Sequence, residues 1–456
     1  MSRFVEGIPM KSKVAITMAE NYEEAERAVD EAIQLLGGPE AICTSKDVVM
    51  IKPNMILPKD PGMAETTHPA VVAALVKALK KTGAVVKVGE QAAWHYDTKA
   101  AFEATGIGKA ALEAGADEVV NWQQDERVAV KVPDPRSIQT AYLPVSVVES
   151  DVFIHVPKMK TNYYYGSVTL AIKGLLGLLA NKDRGIYHRT IAEMAWATCD
   201  LAKAIAPKHR LTLIDGITGM EGGGPHAGLK VEPGVILASQ DMVAVEAVGC
   251  TIMGFHPFES PGVQVAMKAG LGTGELSEIE ILGKTIQEAT KHPFKRPIRR
   301  LVSKWKNVKE YIGGTCEGCL LGLTRTPFTV NPNKIYAIIA GTRALVPDHL
   351  EADEVWLVGE CACRENHQFP GFISKISHVK TIHKFPACPG IIGFHDQYKR
   401  PITKGTPYQI PDLITVDGST LAILPDLVRE SDREAAEMRR EGKMSLDEAK
   451  REQGIE

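Results

Sequence analysis

Five of the eight cysteines fall between positions 313 and 393, and their types and spacing suit a metal. Cys316-Glu317-Gly318-Cys319 sets two thiolates at Cys-x-x-Cys spacing in a glycine-rich turn, where backbone N–H groups face the sulfurs. Zinc and iron–sulfur clusters use such a turn equally. Cys361 and Cys363 follow a strand pattern at Glu354–Val358, and Cys388-Pro389 ends another extended run. This is not a ferredoxin repeat, because 42 positions separate Cys319 from Cys361 and 25 separate Cys363 from Cys388. Folding must bring the ligands together. Cys316, Cys319 and Cys388 are the expected ligands, with the fourth drawn from Cys361 or Cys363, which point the same way if their segment is extended. A redox disulfide at Cys316/Cys319 is disfavoured by the lack of a strand-then-helix context. Cys43, Cys199 and Cys250 sit in helical or apolar surroundings and read as packed residues.

A second set of reactive types stands at strand ends. Open parallel sheets bind ligands at the carboxyl ends of their strands, where loops converge. Each strand pattern read to its end yields Lys52-Pro53-Asn54, Glu90, His155 with Lys158 and Lys160, Asp215, and Asp241. Lys158 and Lys160, two apart in an extended segment, point the same way, and Lys173 at the start of the next apolar helix can join them. Together they make an anion pocket, strengthened by helix N-terminal N–H donors; the alternative is a pair of surface lysines bordering a loop. Ile214 to His226 reads as a strand ending at Asp215 and opening into glycines, Gly223 and Gly224 among them. That loop is either a ligand cradle or a tight wide turn, and no Gly-Lys-Ser/Thr follows to make it a P-loop. Asp241 caps the helix Met242–Met253 or joins the site, while Glu246 partners a lysine or acts as a site acid. Lys158, Lys160, Asp215 and Asp241 are assigned to chemistry, and Lys52, Asn54, Lys173, Gly223 and Gly224 to binding. His155, His188 and His226, each alone, read as satisfied histidines.

These residues need a scaffold, and short β-branched runs alternating with helical patterns from Lys13 to about Gly283 supply one. Strands are expected at Val14–Met18, Asp47–Ile51, Val85–Val88, Glu118–Trp122, Asp151–Val156, Leu211–Ile214 and Val235–Ser239. Helices are expected over Tyr22–Leu36 and Ala70–Lys81, the second capped by Thr67. The fold class is α/β: a mostly parallel sheet domain over 13–290, then a small α/β cysteine-rich metal-binding domain over 311–395 and a charged helical tail. Between the domains, 291–310 is an exposed basic linker, since Lys291 to Lys309 carries eight Lys or Arg and no acid. The C-terminal extension spans 396–456.

The chain has 456 residues, too many for one hydrophobic core. Its 44% hydrophobic and 24% charged composition is that of a globular enzyme, and a net charge of -3 gives no global field for nucleic acid. The longest apolar run, Ser167 to Ala180, is too short to span a bilayer and is broken by Lys173. Met1 to Lys13 lacks a secretory pattern, so a cytoplasmic, reducing compartment is expected.

The stretches Ile51-Lys52-Pro53-Asn54, Thr66-Thr67-His68-Pro69, Pro157-Lys158-Met159-Lys160-Thr161, Ile172-Lys173-Gly174-Leu175, Asp215-Gly216, Gly224-Pro225 and Asp241 to Val245 resemble domain of unknown function 362 over residues 13 to 260. Asn162, Gly174 and Glu246 depart from it, standing where His, Asn and Asp are common. The resemblance implies an α/β fold and frequent association with iron–sulfur segments, typically in anaerobes and archaea, and no assigned reaction. It favours an iron–sulfur cluster, in [4Fe–4S] form, over structural zinc. The resulting expectation is an iron–sulfur oxidoreductase passing electrons to a small anionic ligand, with a redox partner protein and an oligomeric state left open. The alternatives are a zinc-stabilised ligand-binding protein or transferase, and a scaffold or cluster carrier for a larger enzyme.

Overall fold

Val152–Val156 and Val235–Ser239 are buried at every residue. Strands apolar on both faces belong in the middle of a sheet covered by helices, and these do. The computed structural model describes residues 4–5, 8–9, 11–93, 96–162, 165, 167–184, 187, 191–225, 228–297, 307–312, 331–340, 346–358, 360–363 and 375–385.

The first sheet is built from β1 (Ser12–Met18), β2 (Val48–Pro53), β3 (Val85–Glu90), β4 (Glu118–Asn121), β5 (Val152–Val156), β6 (Lys158–Asn162), β7 (Ser167–Thr169), β8 (His209–Glu221), β9 (Leu229–Val231), β10 (Val235–Ser239) and β11 (Ile279–Gly283). Its main row runs β11-β1-β10-β8-β5-β2-β3-β4, and β10 alone is antiparallel to its neighbours there. The architecture is α/β with a mostly parallel, mixed sheet. Helices α1 (Ala25–Leu35) and α2 (Pro69–Lys80) pack apolar side chains on one face of the sheet, against Ile51, Ile154, Leu213 and Ile236. The helices α3 (Ile191–Ile205) and α4 (Met242–Ile252) are themselves largely buried.

Three local expectations change. Thr67 does not cap α2: its hydroxyl donates to Val156 O (2.6 Å) and accepts from Asn54 N (2.9 Å), so it ties β2 to β5. His68 Nδ1 caps instead, accepting from Ala70 N. Second, β8 does not stop before Asp215 but runs through to Glu221. Gly216 and Gly219 lie inside that strand because neighbours crowd it: a Cβ would meet the Val235 and Met159 side chains at 216 and Met159 O at 3.0 Å at 219. Third, Lys291–Pro297 is not a free linker. Phe294 is buried and its N–H donates to Met253 O, Lys295 N donates to Glu221 Oε2, and Arg296 lies over the Phe255 ring.

A second sheet, of four parallel strands in sequential order, comprises β12 (Val308–Ile312), β13 (Tyr336–Ala340), β14 (Glu354–Val358) and β15 (Thr381–Phe385). Ala337, Ile339, Val355 and Leu357 form its core with Val346, Leu350 and Ile376. A short helix, α5 (Glu360–Cys363), follows β14. The expected charged tail lies outside the described residues. Among the described residues, no helix is long and apolar enough to cross a membrane.

Candidate functional site

Lys52, Lys158 and Lys160 are buried, at 1%, 0% and 0% exposure, which removes the surface-lysine alternative. A buried ammonium must be paired, hydrogen-bonded or deprotonated, because desolvation penalises the charge. Each lysine meets this demand differently. Lys52 Nζ pairs with Glu90 Oε2 at 2.5 Å and also reaches Pro53 O. Burial pulls its pKa down and Glu90 opposes that pull.

Lys158 uses all three donors, on Tyr22 Oη (2.5 Å), Thr218 Oγ1 (2.9 Å) and Asp215 Oδ2 (3.1 Å). Asp215 in turn accepts from His68 N at 2.8 Å, and the His68 ring stacks on Tyr22 with centroids 3.5 Å apart. This network closes on itself. It fixes the entrance to α2 and leaves Lys158 no N–H for a ligand. His68 is pushed down to about 4 by burial, so it is neutral at physiological pH.

Lys160 has a different set of partners. A register irregularity between Lys158 and Lys160 against β8 breaks the simple alternation of the strand, and the two side chains engage separate groups. Lys160 Nζ donates to Glu65 O at 2.6 Å and, among the described residues, has no carboxylate within ion-pair distance. The Glu65 carboxylate is paired with Lys59 instead, at 2.7 Å. Glu65 O also accepts from Asn54 Nδ2, which gives Asn54 its place in the site. Ala64 holds a left-handed backbone, φ +57°, immediately before it. Burial, then the positive charge of Lys173, pushes Lys160 down to about 7, against the opposing pull of the Glu65 carboxylate.

Lys173 opens a short helical segment, Lys173–Leu178, laid over the sheet. Its glycines permit the contact. A Cβ on Gly174 would lie 2.4 Å from His155 Cε1, and one on Gly177 would lie 2.7 Å from Lys52 Nζ and 3.0 Å from Glu90 Oε1. The far end of the segment is held by two arginines and an amide, with Arg184 and Gln91 donating to Gly177 O and Leu179 O, and Arg127 to Leu178 O. At the near end, buried Glu246 accepts from Ile172 N (2.7 Å) and Ser260 Oγ (2.5 Å), with a pKa raised to about 7 by burial. Glu246 therefore anchors the segment that carries Lys173. His155, under Gly174, completes no hydrogen bond of normal geometry at either ring nitrogen, although the Ala171 backbone lies near enough to act on it electrostatically.

Asp241 stands apart from this group. Because β10 is antiparallel, its end pairs with the start of β8 and β1, at the opposite edge of the sheet. There Asp241 caps α4 through Val243 N and Ala244 N and accepts from Ser12 Oγ and Thr273 N. Gly224 is packed rather than open: a Cβ there would lie 2.1 Å from Thr161 O. Gly223 follows the end of β8 in the same turn. Tyr22, Thr218 and the Glu65 carbonyl escaped the sequence reading. Tyr22 is 136 positions from Lys158, and no pattern marks a backbone oxygen as a lysine partner.

Cys316, Cys319 and Cys388 lie outside the described residues, as do His188 and His226. Cys361 and Cys363 are on α5 and not in an extended segment. Cys363 Sγ is turned toward Leu357 O, at 3.5 Å, beside the small core. Among the described residues, no group of three or more His, Cys, Asp or Glu gathers as a metal site.

Strands β3 to β10, α2 and the site lysines lie within one matched stretch of sequence. Residues 49–251 match the model of a domain of unknown function, DUF362. The chain is also 27% identical, over 303 residues, to the thylakoid-associated protein sll1697 of Synechocystis sp. (strain ATCC 27184 / PCC 6803 / Kazusa), covering 65% of this chain and 88% of that one. The lactate racemase apoprotein from Thermoanaerobacterium thermosaccharolyticum is similar at 14% identity and a TM-score of 0.35, over 54% of this chain and 57% of that one.

Proposed function

We propose that this protein is an iron–sulfur oxidoreductase whose α/β domain binds a small anionic ligand between Lys160 and Lys173. The observation that carries the ligand is Lys160, a fully buried lysine with one carbonyl partner and, among the described residues, no carboxylate within ion-pair distance, the Glu65 carboxylate offsetting its charge only in part. An anion supplies the missing counter-charge and makes the protonated form affordable. Glu65 O and Asn54 hold the lysine in place, and Glu246 holds the backbone that delivers Lys173.

The metal reading draws support from the small sheet. Its four strands end in register, with Ile312, Ala340, Val358 and Phe385 opposite one another. Cys316 follows the first of these ends by four positions, and Cys361 and Cys388 follow the third and fourth by three. At ~3.5 Å per residue, thiolates so few residues beyond strand ends on one edge are within range of one centre. With Cys363 turned toward the sheet core, Cys316, Cys319, Cys361 and Cys388 are the preferred set. A bound iron–sulfur cluster would supply one-electron transfer.

Anaerobically purified protein tests both halves. About four irons and four sulfides per chain, with an electron paramagnetic resonance signal on reduction, are expected, together with thermal stabilisation by inorganic phosphate that K160M and K173M lose. Absence of iron and sulfide overturns the redox half. Stoichiometric zinc retained until unfolding would move the protein to the non-redox, zinc-stabilised reading.

A further inference from the structure

Among the buried lysines, Lys160 has the most bonding capacity left. Lys158 is saturated by Tyr22, Thr218 and Asp215, and Lys52 is bound to Glu90. Among the described residues Lys160 makes one bond, to a carbonyl held from the other side by Asn54. An amine that donates one hydrogen to Glu65 O keeps its lone pair and its second hydrogen. Burial and the charge of Lys173 bring it to about 7, so near neutrality a large fraction of it is unprotonated. Desolvated lysines next to a second cation are the ones that act as nucleophiles toward carbonyl carbon.

We infer that Lys160 forms an imine with a small 2-oxo acid whose carboxylate is held by Lys173. The inference rests on the anion-site reading and names the substrate class. A 2-oxo acid carries its carboxylate on the atom next to the ketone, which matches one cation beside one nucleophilic amine. In the reaction the Lys160 nitrogen adds to the ketone carbon, a C=N bond replaces C=O, and the carbonyl oxygen leaves as water with the two amine protons. No oxidant or reductant is consumed. Burial excludes bulk water, which would hydrolyse the product.

The full-length protein is incubated with pyruvate near neutral pH, treated with sodium borohydride, digested and mapped by mass spectrometry, with thermal stability measured in parallel without borohydride. One reduced pyruvate adduct is expected on Lys160. It should be absent from K160R and K160M and about tenfold weaker in K173M, where the nucleophile remains and the carboxylate anchor is gone. Adducts confined to surface lysines, or to Lys158, overturn the inference. Stabilisation by pyruvate without an adduct on Lys160 overturns the imine and leaves the anion site standing. No stabilisation by pyruvate or phosphate, and no adduct, overturns both.

Discussion

Replacing Lys160 with methionine removes a buried cation, and the resulting change in stability is set by pH. Lys160 has a pKa near 10.5 in the unfolded chain and about 7 in the folded one. Between those values the unfolded state binds more protons than the native state, so stability of the wild-type protein rises with pH across this window. Below about pH 7 the full penalty applies. At ~1.36 kcal/mol per pH unit, the fall from 10.5 to about 7 corresponds to roughly 5 kcal/mol, an upper figure because a buried site relaxes around its charge. K160M is therefore more stable than wild type in acid, and its advantage shrinks by roughly 3 kcal/mol between pH 6 and pH 9. Methionine's own packing contributes a constant offset, and the other titrating groups cancel in the difference. Urea unfolding of both proteins at pH 6, 7, 8 and 9 gives that difference directly. A gap independent of pH, or one that widens as pH rises, would refute the claim that burial holds the Lys160 amine below its ordinary pKa.

Gly174→Ala should cost ~1–3 kcal/mol, because its Cβ would stand 2.4 Å from a ring that is itself fully buried. Combining it with His155→Ser should recover most of that loss in a double-mutant cycle, and strict additivity of the two changes in thermal melts would rule out the contact. Glu90→Gln strands the Lys52 ammonium 2.5 Å away and should destabilise by ~3–5 kcal/mol, whereas Lys52→Met with Glu90→Leu should fall well short of that cost. Chemical denaturation at neutral pH reads both, and equal losses in the single and double variants would contradict the pairing.

Much of the scaffold was legible before any coordinates. Six of the seven expected strands of the first sheet lie within a few residues of where they were expected, β8 being the exception, and the starts of α1 and α2 lay close to their observed positions. Continuous apolar runs in parallel strands carry that information locally. Of the residues named in the strand-end reading, Lys52, Asn54, Lys158, Lys160, Lys173 and Asp215 stand near one another in the fold. It erred at Asp241, since one reversed strand sends its end to the other edge, and strand direction is not written in composition. It also erred over β8, where glycines that look like a loop are packing residues.

What the sequence determined by itself was the alternation of strand and helix, and the presence of lysines and cysteines at strand ends. Whether a lysine is quenched or available was decided only in three dimensions. Lys158 and Lys160 are the same residue type two positions apart, yet Asp215, Tyr22 and Thr218 saturate the first, while a single backbone carbonyl meets the second. Those partners come from 57 to 136 positions away for Lys158 and 95 for Lys160. A charge's state depends on the sum of burial and neighbours in space, and that sum exists only once the chain has folded.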